Sequence, residues 1–375
     1  MMKWFWRVLA VIIVAIVAVV IYIEVNKKDL LQLAVDEANK SLNGELTYED
    51  ADISLLASFP SLKISFEGLS LTDAVKREST PVISAGELSM DVDLISAIRK
   101  NFIVNAVSLS NAQVYLANYK DGTNNYSLTT PSEGGEETHV DFDINTYELS
   151  DVDFVFSDQS AGQKTSLMDI DAEGKLNYKS KYIYLINEFT SRLQLDYGAL
   201  LPSYSVALGG VIENTINPAM DSIGINRSEL LLNDLPVRLK GDIRLGDEVI
   251  YNFDFGSPAT EIKRLVSLLP NFYKNQYKDL ISKGTYVLNG TINGNTSDQF
   301  PRYKLSVMTK DGQLEYPDLD ASIEKLNFSL LAENASTNNA YSKLVIDDLD
   351  IKTGESMISG DFLSVPSGQD HNVKK

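Results

Sequence analysis

Cysteine is absent from the 375 residues, which excludes disulfides, thiolate metal sites and cysteine nucleophiles. Histidine occurs only as His139 and His371, each among polar, loop-type residues that read as solvent-exposed. Positive charge is scarce: 33 Lys and Arg stand against 52 Asp and Glu, a net charge of −19. The imbalance sharpens beyond residue 28, because Lys3, Arg7, Lys27 and Lys28 all precede that point. So acidic a body repels polyanions, so no nucleic-acid partner is expected and the body does not hug an anionic leaflet. No phosphate loop is present, since Gly209-Gly210 is not followed by Lys-Ser/Thr, and no Gly-x-Ser-x-Gly elbow occurs. Without a nucleophile–base pair the chain reads as non-enzymatic, and no cofactor is expected. No Gly/Ser-rich stretch marks a linker between independent domains.

What is present begins at the amino terminus. Residues 8–23 form an unbroken apolar run, preceded by Trp4, Phe5 and Trp6. With that flank the run reaches about 20 residues, the length of one helical span of a bilayer. Lys3 and Arg7 give it the basic start of an export signal, but its exit lacks a small-x-small cleavage site, so it reads as an uncleaved anchor. Loop charge is close to a tie on orientation, and the acidity of the body favours the amino terminus inside and the body outside, in the periplasm of a two-membrane bacterium. The division expected is an anchor over 1–28, an amphipathic helix over 29–44, a β body over 45–365 and a frayed tail over 366–375.

Asp29 is placed to cap the short helix with Gln32 in capping-box position, and Leu31, Val35, Ala38 and Leu42 fall on one stripe. Asn43-Gly44 supplies a stop. Beyond it the period changes to two. Leu62, Ile64 and Phe66 alternate with polar residues, as do Leu88, Met90, Val92 and Leu94, then Ala112, Val114 and Leu116, then Val152, Phe154 and Phe156. Tyr251, Phe253 and Phe255, Leu305 and Val307, Leu326, Phe328 and Leu330, and Leu344 and Ile346 continue the pattern. Glu67-Gly68, Asp121-Gly122, Ala161-Gly162, Gly209-Gly210, Gly246-Asp247, Asn289-Gly290 and Asp311-Gly312 read as hairpin turns between antiparallel strands. A helical insertion is expected over 260–269, with a second helix over 271–282 and a short turn at 95–100. Residues 130–138 read as a loop.

An internal repeat is visible. Residues 108–122 align without a gap with 148–162, both reading Leu-Ser-(Asn/Asp)-x-x-apolar-x-apolar before a glycine turn. A repeated strand unit stacks into a long sheet in which each unit touches its neighbours.

These features together resemble the AsmA family of envelope proteins. The resemblance is carried by LLASFPSLKISFEGLSLTD at 55–73, by the strand and Asp121-Gly122 turn with Asn124 and Asn125 at 108–128, and by 265–295 followed by DGQLEYPDL at 311–319. It implies a mainly β protein: an N-terminal transmembrane helix, a short amphipathic helix, then a long antiparallel, repeat-built sheet curled into a groove, apolar inside and polar outside. The role it implies is to bind or conduct phospholipids between membranes and to maintain outer-membrane lipid balance, with membrane lipids and other envelope proteins as partners. The chain departs from the family in length, since members of this kind usually run to twice as many residues.

Alternation by itself leaves two outcomes open. A sheet closed on itself or packed on a second sheet makes its apolar face an ordinary core. An open sheet needs a ligand with long apolar tails, because large apolar patches are unfavourable in water. The candidate lining for such tails is Leu62, Ile64, Phe66, Met90, Val92, Leu94, Val114, Leu116, Phe154, Phe156, Leu239, Phe253 and Phe255. The alternative is a membrane-anchored scaffold or assembly factor with a solid β core. Asp91/Asp93, Asp141/Asp143 and Asp151/Asp153 place paired carboxylates at i,i+2, a pattern that suits a hard cation or the solvated outer face of a sheet, and the latter is preferred.

Overall fold

The computed structural model describes residues 25–365 apart from 30, 33–34, 37–38, 41, 55–60, 75–79, 94–102, 129–142, 180–181, 199–202, 218, 220, 247, 269–278, 316–321 and 339–340. The anchor over 1–24, the turn at 95–100, the loop at 130–138, the tail at 366–375, Leu94 and both histidines lie outside the described residues. Among the described residues no helix is long and apolar enough to cross a membrane. The protein is mainly β, with seventeen strands among the described residues.

The chain forms two compact units. One comprises residues 1–177 with 191–203, the other 178–190 with 204–375. Strand β8 (Tyr182–Asp196) therefore gives its residues up to Thr190 to the second unit and the rest to the first.

In the first unit, β3 (Ser61–Asp73) is flanked along one edge by β2 (Asp50–Ser54) and β1 (Gly44–Thr47), and along the other by β4 (Ile83–Asp93). β4 pairs with β5 (Ile103–Asn118), β5 with β6 (Asp143–Asp158), and β6 with β7 (Gln163–Lys179). All these ladders are antiparallel except β5–β6, which is parallel. The expectation of an antiparallel sheet is corrected there, and the reason lies in the repeat. Ile103 faces Asp143, Leu109 faces Leu149 and Asn118 faces Asp158, so the two copies of the repeat lie side by side at their own sequence offset. Asp121-Gly122 does reverse the chain, but onto the end of β5 itself. Asn118 bridges Asn124, and the buried Asn125 receives the Ala117 amide on its side-chain oxygen at 2.7 Å and donates to the Tyr115 carbonyl at 2.9 Å. At the far end of β6, Asp158 accepts from Ser160 and Ala161 in the turn to β7, and those bonds hold its carboxyl below the usual carboxylate range.

The described residues between 25 and 40 are helical, and this segment is α1. Asp29 lies inside it and not at its cap, because no glycine or proline stops the helix at 25–29; Gln32 donates to Asp36 and not to a capping position. Leu31 and Val35 are buried against Ile53 and Phe66, with Leu62, Ile64, Leu88 and Met90 packed around them. Asn39 pins the end of α1 to β1 by exchanging two hydrogen bonds with the Leu46 backbone, at 2.7 and 3.0 Å. Leu42, read as part of the helical stripe, lies past the helix in an isolated bridge.

In the second unit β9 (Tyr204–Ile216) to β17 (Ser356–Ser364) pair in chain order, every described ladder antiparallel: β10 (Ser222–Leu232), β11 (Leu235–Arg244), β12 (Ile250–Glu261), β13 (Ile281–Asn295), β14 (Arg302–Glu315), β15 (Ser322–Asn334) and β16 (Ser342–Thr353) lie between them. Of the helices expected over 260–269 and 271–282, residues 269–278 lie outside the described residues, and the described ends differ from the reading. Thr260 and Glu261 finish β12, α2 is Lys263–Val266, and Ile281 and Ser282 already belong to β13. Leu235, Ile262 and Tyr286 form the buried cluster beneath α2, joined by Leu265, Leu268, Leu288, Val307 and Leu314.

Four of the seven expected turns are not turns. Gly68, Gly209-Gly210, Asn289-Gly290 and Asp311-Gly312 lie inside β3, β9, β13 and β14. Three of these sites hold a residue of positive φ, at Gly68, Gly210 and Asp311, and the same backbone recurs at Asn111, Asp151, Asp169 and Asp348 within strands. A single left-handed residue in a strand disturbs the alternation locally without reversing the chain.

Candidate functional site

The described residues among those proposed as lining fall on one face of the sheet in each unit. Directly opposed residues of an antiparallel pair, and aligned residues of a parallel pair, point to the same face. Leu62 faces Val92, Ile64 faces Met90 and Phe66 faces Leu88; Met90 faces Val107, and Val107 faces Tyr147. Their sequence neighbours Lys63, Ser65, Glu67, Ser89 and Asp91 point the other way.

Strict alternation would send Val114, Leu116, Phe154 and Phe156 to the opposite face from Leu109 and Leu149. The left-handed residues prevent this. Leu109 and Ala112 are three apart, as are Leu149 and Val152, yet all four pack in one cluster with Ala85 and Leu69. Between each pair sits a positive-φ residue, Asn111 (φ 50) or Asp151 (φ 54). Gly68 (φ 62) does the same between Phe66 and Leu69, and Asp169 (φ 52) between Leu167 and Ile170, which face Phe154 and Val152. The sheet therefore switches phase along a row of residues, and the apolar rows on either side of that row share a face. Sequence reasoning recorded the Leu-Ser-(Asn/Asp) motif but not its consequence; the three-residue spacing of apolar residues across it was the available signal.

In the second unit Leu239 faces Phe255, Gly241 faces Phe253 and Phe253 faces Ile292. The same face continues through Leu305, Ala332 and Leu344, and through Val307, Leu330 and Ile346 to Phe362. The alternate positions carry Arg238, Lys240, Asp254, Thr291, Lys304 and Glu333. Of the polar-face ion pairs, Lys343–Glu333 at 3.4 Å is half-buried and Lys352–Glu324 at 2.7 Å is exposed. Lys352 holds the Glu324 carboxyl below its ordinary range, but at such sites the pair adds little stability.

Aromatic residues on these faces lie over glycines of the next strand. Tyr147 faces Gly174 and Phe255 faces Gly290, and a side chain at either glycine would collide with the ring. Covering the Tyr147 ring raises its hydroxyl pKa by desolvation. Rings lying flat against the sheet fill the gap above glycine and keep the apolar surface low.

Burial separates two parts of each face. Under α1, Leu31, Val35 and Phe66 are buried, and under α2 so are Leu235, Ile262 and Tyr286. Away from the helices Ala85, Ala112 and Val152 are buried, whereas Val114, Leu116, Phe154, Phe156, Leu239, Phe253, Phe255, Leu305 and Leu344 are only partly buried. Val92 is buried, and Leu62, Ile64 and Met90 pack on the α1 cluster, so these four with Phe66 serve as core at that end.

Asp151 and Asp153, considered as a cation pair, are engaged in the backbone. The Asp151 amide donates to Asp171 and the Asp169 amide donates to Asp153, each at 3.0 Å. Among the described residues no cluster of His, Asp and Glu could hold a metal ion. In comparisons with known proteins, no family model, curated protein or solved structure matches the chain.

Proposed function

We propose that this chain is a non-enzymatic, AsmA-like envelope protein, anchored in the inner membrane by residues 1–28 with its body in the periplasm, that holds or conducts phospholipids along the apolar sheet faces and so contributes to outer-membrane lipid homeostasis. The observation that supports this most is the partial burial of apolar residues in the middle of long strands. In a two-layered domain, residues such as Phe154, Phe253 and Leu305 would be covered by a facing layer of side chains. Here the well-buried apolar residues gather under α1, under α2 and in a small cluster of Ala85, Ala112 and Val152, while the large side chains between them stay partly open. An acyl chain laid across the strands meets a new apolar row about every 4.8 Å. Each methylene removed from water contributes roughly 0.8 kcal/mol, so a continuous row suffices without a binding motif. Phosphate and headgroup would remain at the margin, in water. The alternative, a scaffold with a solid β core, draws its support from the helix-covered ends and from the buried Ala85, Ala112 and Val152.

Phe154→Glu tests the proposal. Full-length protein is extracted in mild detergent and its bound phospholipid counted by native mass spectrometry. The wild type is expected to carry phospholipid and the variant several-fold less, with an unchanged unfolding transition. Equal lipid on both folded proteins, or none on the wild type, speaks for the scaffold.

A further inference from the structure

We infer that the polar face of the second unit carries an oxyanion site, between β10 and β13, that takes the phosphate group of a small anionic ligand. A depression of about 420 Å³ opens there, lined by Arg227, Arg238, Lys240, Asp254, Gly256 and Asn289, among others. The side chains placed there by register are those of the polar face: Arg238 faces Gly256, Lys240 faces Asp254, and Gly256 faces Asn289. Leu239, Phe255, Pro258 and Val287 complete the lining, so the polar side chains stand over a partly apolar floor; the site goes beyond the lipid-tail reading, because it rests on the cations of the polar face.

Two irregularities build the site. On one side β10 breaks register with both neighbours at 225–230, and on the other β12 breaks register at 257–260. Bulges re-aim side chains and open the ladder beside them. In the first bulge Ser228 replaces ladder bonds, accepting from the Leu239 amide at 2.6 Å and donating to the Leu239 carbonyl at 2.7 Å. This fixes the backbone between Arg238 and Lys240. Gly256 keeps the floor open, because a side chain there would press on the Leu288 carbonyl at 2.8 Å and on Asn289 Oδ1 at 2.9 Å.

The charges are only loosely engaged. Glu229, the carboxylate of β10, is held by Arg227 at 2.6 Å and acts on Arg238 at longer range. Arg238 and Lys240 form no ion pair within 4.0 Å among the described residues, and Asp254 is the one carboxylate lining the depression. Two cations, one of them a guanidinium able to make a bidentate contact, suit a tetrahedral oxyanion. In a chain of net charge −19 such an excess of positive charge is local, so recognition depends on short-range hydrogen bonds and not on long-range attraction. The phosphate can be borne by a soluble ester or by a lipid headgroup of a bilayer apposed to this face.

Amine labelling of Lys240 in the full chain, reconstituted in phosphatidylcholine nanodiscs, tests the site. Lys304, on the same polar face outside the depression, is the internal reference. Glycerol 3-phosphate is expected to slow labelling of Lys240 saturably and to spare Lys304, and Arg238→Gln to weaken that protection at least about tenfold. Protection in phosphatidylglycerol nanodiscs without added ester would assign the phosphate to lipid. Unchanged labelling of Lys240 under both conditions, or equal slowing of Lys240 and Lys304, overturns the site. Arg238→Gln leaves the apolar face intact, so bound acyl chains counted on this variant report separately on the proposed function.

Discussion

At the scale of single residues, the feature that organises the sheet is the left-handed Asp or Asn held by a side chain on the next strand. The Asp311 amide donates to Asn327 at 2.9 Å and the Asp348 amide to Asp361 at 3.1 Å, repeating in the second unit what Asp151 and Asp169 do in the first. Asx residues tolerate this backbone better than other non-glycine residues, and β-branched ones tolerate it worst. At Asp151 (φ 54) we expect Val to destabilise the protein by about 2 kcal/mol and Gly to be close to neutral. Denaturant unfolding of both variants checks this. Equal destabilisation by the two would show that the carboxylate, not the backbone conformation, matters at this position.

At the scale of elements, strand identity was legible because alternation is a local property, and the offset between residues 108–122 and 148–162 became the register of β5 on β6. The direction of that pairing was not legible. A repeat fixes which residues are equivalent but not whether the chain returns by a hairpin or by a crossover. Gly and Asx punctuation was ambiguous for a related reason. The same left-handed conformation serves a reversal at Gly122 and a phase switch at Gly68, and only the neighbouring strand decides between them. The stripe of Leu31 and Val35 was read correctly as packing surface, whereas the start of α1 was misplaced because Asp29 has the chemistry of a cap without standing at a helix end. Leu31, 4% exposed, closes the end of the first unit's apolar face. Leu31→Ala should cost about 2–5 kcal/mol in the stability of that unit and speed amide exchange in β3 and β4. Unaltered exchange in those strands would mean that α1 rests on the sheet without holding it.

At the scale of the whole molecule, function was readable only as a surface. The lining residues could be named from alternation, but whether Leu109 and Val114 shared a face depended on Asn111, whose backbone the sequence alone did not reveal. The cations of the depression were invisible for another reason: Arg227, Arg238 and Lys240 lie on two strands and converge only through a bulge. What results is a division of labour between faces. One face of each unit is apolar and partly exposed, while the other carries most of the charge. If the apolar faces hold acyl chains, a lipid must be in contact with them in the protein at work. The most direct measurement places a photo-crosslinking amino acid at Phe154 or Phe253, on the apolar faces, and in parallel at Asp91 or Thr291, on the polar ones, in the full chain within intact cells. Phospholipid adducts at the first pair and none at the second are expected; adducts at neither pair, or at both alike, contradict lipid binding on these faces.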